Sequence, residues 1–255
     1  MKIRIIILTG LVLGIFFGLK RLSVSKNNNV SGAPPNGESE INAPALSPLE
    51  YLKRTWTRPE GRPKVGLQVG HLNNQDFPEE LKKLRKNGGS SGGGFTEAEV
   101  NLAIAEKTAE ILENEGIRVD ILPATVPPEY WADVFIAIHA DGSTSPDKSG
   151  FKIAGPWRDL TGKSNSLAET LEKTYQAATN FEKDPNITRN MRGYYAFSWW
   201  RYNHAIHPMT TAVIVETGFL TNWSDRQLIA VQPEIPARAL AEGVVEFLEE
   251  EKLLT

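Results

Sequence analysis

The sequence predicts an α/β fold: a single three-layer domain with a mostly parallel, twisted sheet and helices on both faces. Two observations carry that reading. Short apolar runs at Val65–Val69, Val134–Ile138 and Ala212–Val215 have the unbroken character of strands buried on both faces. Between and after them lie longer amphipathic stretches, Glu97–Glu115, Ser164–Phe181 and Glu234–Lys252, whose apolar residues recur at helical spacing. Ile117–Leu122 adds a further strand, and there is no internal repeat. In open sheets of this kind ligands bind beyond the carboxyl ends of the strands.

The chain has 255 residues and divides into three parts. Residues 1–26 carry Lys2, Arg4, Lys20, Arg21 and Lys26 with no acid, around the 15-residue apolar run Ile5–Leu19. That run reads as a signal peptide or an N-terminal membrane anchor, since roughly 20 residues make a comfortable helical span. Ser23 and Ser25 offer a small-x-small cleavage site, so cleavage and retention both stay open. Residues 27–48, rich in Asn, Ser, Gly, Pro and Glu, hold too little apolar surface to offset the entropy of ordering and read as a tether. Residues 49–255 form the folded domain.

Charge and cysteine content exclude several functions. Beyond residue 26 there are 23 basic against 31 acidic side chains, a net of −8, which argues against nucleic acid as a partner. The absence of cysteine removes thiol nucleophiles, thiolate zinc sites and iron–sulfur clusters. Any metal must be held by His, Asp or Glu, and there are four histidines.

Three of the apolar strands run into polar residues that a strand does not need: His71, His139 and Glu216. In parallel strands these converge on one sheet edge. The helix from Glu97 supplies a fourth group. Val100, Ile104, Thr108, Ile111 and Leu112 fall on one helix face with Glu97 in its middle, whereas Glu99, Glu106, Glu110 and Glu113 fall on the opposite face. Glu99 closes a capping box with Thr96. Glu97, aimed at a core, is costly unless it is paired or bound to a metal. Two histidines and a carboxylate form a catalytic zinc set that leaves a position for water. His71, Glu97 and His139 therefore fit a single zinc ion, which lowers the pKa of water and polarises a carbonyl oxygen, and Glu216 fits proton transfer. The implied reaction is hydrolysis of an amide or ester.

Four segments in order carry a resemblance: His71 after its strand, Gly92–Ala105 around Glu97, Ala132–Asp141 around His139, and Ala212–Asn222 around Glu216. Together they resemble the motifs of zinc-dependent N-acetylmuramoyl-L-alanine amidases of the Amidase_3 type, from about Val65 to Leu248. The resemblance implies that the first three motifs supply zinc ligands and the last the catalytic glutamate. It also implies a cell-envelope enzyme that cleaves peptidoglycan between N-acetylmuramic acid and the L-alanine of the stem peptide. A monomer is expected, reaching the membrane through its N-terminal segment if that is uncleaved. A zinc carboxypeptidase or other peptidase on a similar scaffold, and a non-catalytic wall-binding protein, stand as alternatives.

The chain departs from the family pattern after His71, where Leu72–Phe77 replaces a glycine-rich, aspartate-containing turn and the basic run Lys82, Lys83, Arg85, Lys86 follows. That insert, Asp76–Ser91, could fold over the site. Asp141 stands where the family commonly has Asn, a change that could alter hydrogen bonding around the ligands. In the aromatic stretch Tyr194–Pro208, Trp199, Trp200, Tyr202 and His204 are candidates for substrate contact, as is Asp141.

Overall fold

The apolar runs form the centre of one five-stranded sheet in the computed structural model, which describes residues 46–254. The expected signal or anchor and most of the tether lie outside the described residues. Among those described, no helix is long and apolar enough to cross a membrane. In chain order the elements are α1 (Pro48–Thr55), β1 (Lys64–Val69), the short strands β2 (Ser91–Gly92) and β3 (Phe95–Thr96), α2 (Glu97–Asn114), β4 (Arg118–Leu122), β5 (Val134–Asp141), β6 (Lys152–Ala154), α3 (Ser164–Thr179), α4 (Arg189–Arg192), β7 (Thr211–Phe219), α5 (Trp223–Ile229) and α6 (Glu234–Glu250). The sheet order is β4-β1-β5-β7-β6, parallel except for the antiparallel edge strand β6. β2 and β3 pair separately as a small hairpin before α2.

Strand alternation divides the core in two. Val65, Leu67, Val69, Ile136, Ile138, Val213 and Val215 face the long helices α2, α3 and α6. Phe135, Ala137, Ala212 and Ile214 face the other way. That second face is covered by short helical turns at 79–84 and 195–197, by α4 and by irregular segments. Helical segments thus lie on both faces, but unequally. His139 and Glu216 share parity with Ala137 and Ile214, so they emerge on the face without long helices, where room for a cavity is left.

The strands run further than their apolar runs. His139 and Glu216 do not follow β5 and β7 but lie inside them, directly opposite each other in register. Beyond them a register irregularity falls between His139 and Asp141, a device that re-aims side chains near functional sites. β6 places Lys152 opposite Glu216 on its other side.

The local signals of α2 hold as read. Thr96 and Glu99 form the capping box, with Thr96 N–H donating to Glu99 Oε2 at 2.9 Å. Glu99, Glu106, Glu110 and Glu113 are exposed, and Val100, Ile104, Thr108 and Leu112 are buried with Glu97.

The ends of β6 and β7 are fixed by one carboxylate. Asp225, fully buried in the first turn of α5, accepts from the Ser149 hydroxyl at 2.5 Å and from the amides of Gly150 and Phe219 at 3.0 and 2.9 Å. Asp225→Ala would leave two buried amides without acceptors. Urea unfolding of this variant is expected to show a loss of roughly 3 kcal/mol, in line with charge-assisted hydrogen bonds of about 1.5–3 kcal/mol each.

Candidate metal centre

The site is built where β1, β5 and the start of α2 meet. β1 ends at Val69, and two residues later His71 sits in the left-handed region at φ 64°. That is a sparsely populated conformation for a residue other than glycine, and such strain gathers at functional positions. Glu97 opens α2, where the free amides and the helix dipole favour an anion. It is 3% exposed, so its charge must be answered by near neighbours.

They answer it closely. Glu97 Oε2 accepts from Ser90 N–H at 2.7 Å, and Oε1 accepts from Ala140 N–H at 3.2 Å and from His139 Nδ1 at 2.9 Å. His71 Nε2 stands 3.4 Å from Oε1. Burial alone would raise the Glu97 pKa, but the hydrogen bond and charge of His139, the charge of His71 and the Ser90 amide bring it down to about 2. Burial would likewise lower His139, yet the bond to Glu97 and the charges of Glu216, Glu97 and Asp141 raise it above its ordinary value.

One ligand atom from each of His71, Glu97 and His139 lies within 4.8 Å of the others, so this cluster could coordinate a metal ion. The donor geometry fits. A tetrahedral first-row ion about 2.0–2.2 Å from each donor sets neighbouring donors roughly 3.3 Å apart, against the 3.4 and 2.9 Å found here. Two glycines clear the space. A Cβ at Gly89, itself at φ 77°, would meet Glu97 Oε2 at 2.6 Å and the His71 ring at 2.8 Å. A Cβ at Gly70 would meet the His139 ring at 2.5 Å.

The surrounding hydrogen bonds select the ring nitrogens. His71 Nδ1 donates to the Asn87 carbonyl at 2.8 Å, leaving Nε2 toward Glu97. His139 Nε2 donates to the Tyr194 hydroxyl at 3.2 Å, and Tyr194 donates to Gln68 Oε1 at 3.0 Å. Gln68 is fully buried on β1 and is held by the Ala124 carbonyl and the Tyr195 hydroxyl. Such outer partners orient ligands and raise their affinity for metal. The sequence reading missed this chain, although Gln68 is the one polar residue inside the run Val65–Val69 and signalled it.

The cluster opens into a cavity of about 550 Å³ whose lining includes His71, His139, Glu216, Asp141, Lys152 and Tyr194. Burial pushes the Glu216 carboxyl up to about 8, against the pull of His139 and with the nearby charges of Glu97 and Asp141 adding to it and Lys152 opposing. Lys152, 3% exposed, is paired with Asp141 and lies 3.5 Å from Asp184. It too was missed, because a three-residue edge strand that begins with a charge carries no strand signature.

The other candidates divide between the cavity and other parts of the domain. Asp141 lines the cavity. The aromatic stretch reaches the cavity through its first residues, Tyr194 and Tyr195, and not through Trp200, Tyr202 or His204. Trp200 is exposed, Tyr202 packs against the second core cluster, and His204 Nδ1 bonds Glu80 at 2.8 Å. The insert supplies a wall, since Phe77, Leu84 and Asn87 line the cavity. Its basic run is exposed, with Lys82 paired to Glu79.

A mostly parallel α/β sheet with a two-histidine, one-carboxylate cluster at its strand ends defines a class of metal-dependent hydrolase folds. The chain belongs to the Amidase_3 family of N-acetylmuramoyl-L-alanine amidases, whose family model matches residues 65–249. It is 27% identical over 173 residues to the N-acetylmuramoyl-L-alanine amidase LytC of Bacillus subtilis, covering 62% of this chain and 32% of that one. With the amidase AmiA of Escherichia coli it shares 25% identity over 202 residues, 60% of this chain and 69% of the relative. The chain therefore spans about a third of the first relative's length and just over two thirds of the second's. In fold it is similar to the catalytic domain of the amidase CwlV from Bacillus (Paenibacillus) polymyxa, with a TM-score of 0.52 at 21% identity over 73% of this chain and 98% of that one.

Two outcomes follow for metal binding. Because the His139 pKa is raised, a metal must displace a proton there up to a higher pH than at a free imidazole. Affinity should fall by about tenfold per pH unit as pH drops below that pKa and level off above it, as competition with a chromophoric chelator across a pH series would record. Tyr194→Phe, which removes the acceptor for His139 Nε2–H, should weaken metal binding by roughly 10-fold or more in the same assay.

Proposed function

We propose that this chain is a zinc-dependent amidase of the cell envelope that cleaves peptidoglycan between N-acetylmuramic acid and the L-alanine of the stem peptide. One observation carries the reading: His71, Glu97 and His139 converge, and His71, His139 and Glu216, the last paired in register with His139, line one cavity. Two imidazoles and a carboxylate without thiols suit a single zinc ion. His71, Glu97 and His139 would hold it, and when bound it supplies a Lewis acid that makes water more acidic and polarises a carbonyl oxygen.

The remaining work belongs to the chain. Glu216 is the proton carrier, because a carboxyl raised to about 8 by burial can both take and return a proton near neutral pH. It lies between His139 and Lys152 in strand register and lines the cavity. Lys152 fixes the Asp141 carboxylate at the cavity wall, where Asp141 can accept from a substrate amide or hydroxyl. Tyr194 and Gln68 hold the His139 ring. Trp200, Tyr202 and His204 lie off the cavity, so their contacts would be with parts of the polymer distant from the scissile amide.

In this reading residues 1–26 direct the chain to the membrane, residues 27–48 tether it and residues 49–255 act as a monomeric catalytic domain. The cation-flanked apolar run and the wall substrate of the family support that arrangement.

Digestion of purified sacculi followed by mass spectrometry tests the bond: an amidase frees intact stem peptides beginning with L-alanine, and chelator abolishes release. Glu216→Gln should keep bound zinc while peptide release falls about 10²–10⁴-fold, the usual worth of general acid–base catalysis. His139→Ala should lose both zinc and release. Full activity of the Glu216 variant would remove the role assigned to it.

A further inference from the structure

The surface beside the cavity carries two tryptophans that packing does not explain. Trp157 is 62% exposed and Trp200 41% exposed. Single exposed apolar side chains are ordinary, but each of these rings is held by a cation. The Arg192 guanidinium lies 5.3 Å over the Trp157 ring, and that of Arg158 lies 4.5 Å over the Trp200 ring. Arg158 follows Trp157 in the chain, so the two cation–ring pairs are linked at adjacent backbone positions and are taken together as a strip: Arg192, Trp157, Arg158, Trp200.

The strip starts at the cavity rim. Trp157 N–H donates to the Arg192 carbonyl at 3.1 Å. Its ring carbon Cδ1 is 3.8 Å from where a Cβ on Gly193 would stand, and Gly193 lines the cavity. Short helix α4 therefore serves both surfaces, with Asn190 and Met191 lining the cavity and Arg192 bracing Trp157 outside it. At its far end, Trp199 stands edge-on to Trp200 at 5.4 Å.

We propose that this strip is a binding site for the sugar strand of the wall polymer, with Trp157 and Trp200 as successive stacking platforms. The inference rests on the amidase reading of the cavity. The bond at issue joins a sugar's lactyl group to a peptide, so the rest of the polysaccharide must leave the cavity along the protein surface, and the strip is continuous with the rim. A pyranose ring has an apolar C–H face and a polar edge of hydroxyl and acetamido groups. An indole fixed flat by a guanidinium offers a preorganised apolar face to the former. The free N–H groups of Arg158 and Arg192 suit the latter, as acceptor oxygens on sugars match their donors.

The experiment measures binding of purified, peptide-free glycan strands to the full-length chain by intrinsic tryptophan fluorescence and calorimetry. Trp157→Ala and Trp200→Ala should each weaken binding at least fivefold and Trp157→Phe less than Trp157→Ala. Melting temperatures should stay near that of the wild type, since both side chains are exposed. Equal binding by wild type and Trp157→Ala, or no binding by the wild type, overturns the proposal. So does sedimentation showing that the wild type self-associates and Trp157→Ala does not, which would make the strip a contact between copies. Peptide release from intact sacculi is scored in parallel. Release together with unaltered glycan binding in the variants overturns this inference alone, whereas no release by the wild type removes the amidase reading and this inference with it.

Discussion

Burying a carboxylate obliges the protein to surround it, and the site of this protein is arranged around that obligation at Glu97. The side chain is 3% exposed and sits at the first position of α2, so its backbone placement is set by the capping box of Thr96 and Glu99. Two backbone amides, from Ser90 and Ala140, donate to it from different segments. Next to Ser90, Gly89 leaves Glu97 and His71 the room that a side chain there would take. The residual negative charge then draws His139 and His71 toward one point. A deeply lowered pKa is the thermodynamic statement of the same fact: the site stabilises an anion and is ready for a cation.

Sheet geometry makes that point useful. β5 and β7 are parallel and in register at His139 and Glu216, so the proposed metal ligand and the proposed proton carrier share a face by strand pairing and not by loop conformation. The antiparallel edge strand β6 then brings Lys152 to the opposite flank of Glu216. Burial raises the Glu216 pKa, the carboxylates Glu97 and Asp141 add to the rise, and His139 and Lys152 oppose it. Long helices cover the other face of the sheet. The face that carries His139 and Glu216 is covered by short turns, and the cavity lies there.

How much of this the sequence revealed depends on the range of the interaction. Periodicity and capping are local, and they located α2, separated the solvated Glu99, Glu106, Glu110 and Glu113 from Glu97, and marked the core strands. The polar residues at the ends of apolar runs identified His71, His139 and Glu216, although the last two prove to lie inside their strands. Long-range pairing left no such trace. Lys152 sits in a three-residue edge strand, and its role comes from Asp141 and Asp184, 11 and 32 positions away along the chain. The hydrogen-bonded chain from His139 through Tyr194 to Gln68 joins three distant segments. Only the buried glutamine hinted at it. In the aromatic stretch the candidates for substrate contact were Trp199, Trp200, Tyr202 and His204, whereas the residues of it that line the cavity are Tyr194 and Tyr195.

The insert after His71 shows how a departure from a family pattern can be absorbed without loss of the site. Its return segment places the Asn87 carbonyl 2.8 Å from His71 Nδ1, and the buried Asn74 side chain donates to the same carbonyl. Glu80 anchors the middle of the insert by accepting from the amides of Asn203 and His204. A segment tied at both places cannot drift without releasing the His71 ring. The strained left-handed backbone at His71 needs such external support, since a non-glycine residue does not hold that conformation unaided. The insert therefore takes over the task of orienting His71, the proposed metal ligand, and keeps it in place with a different loop around it.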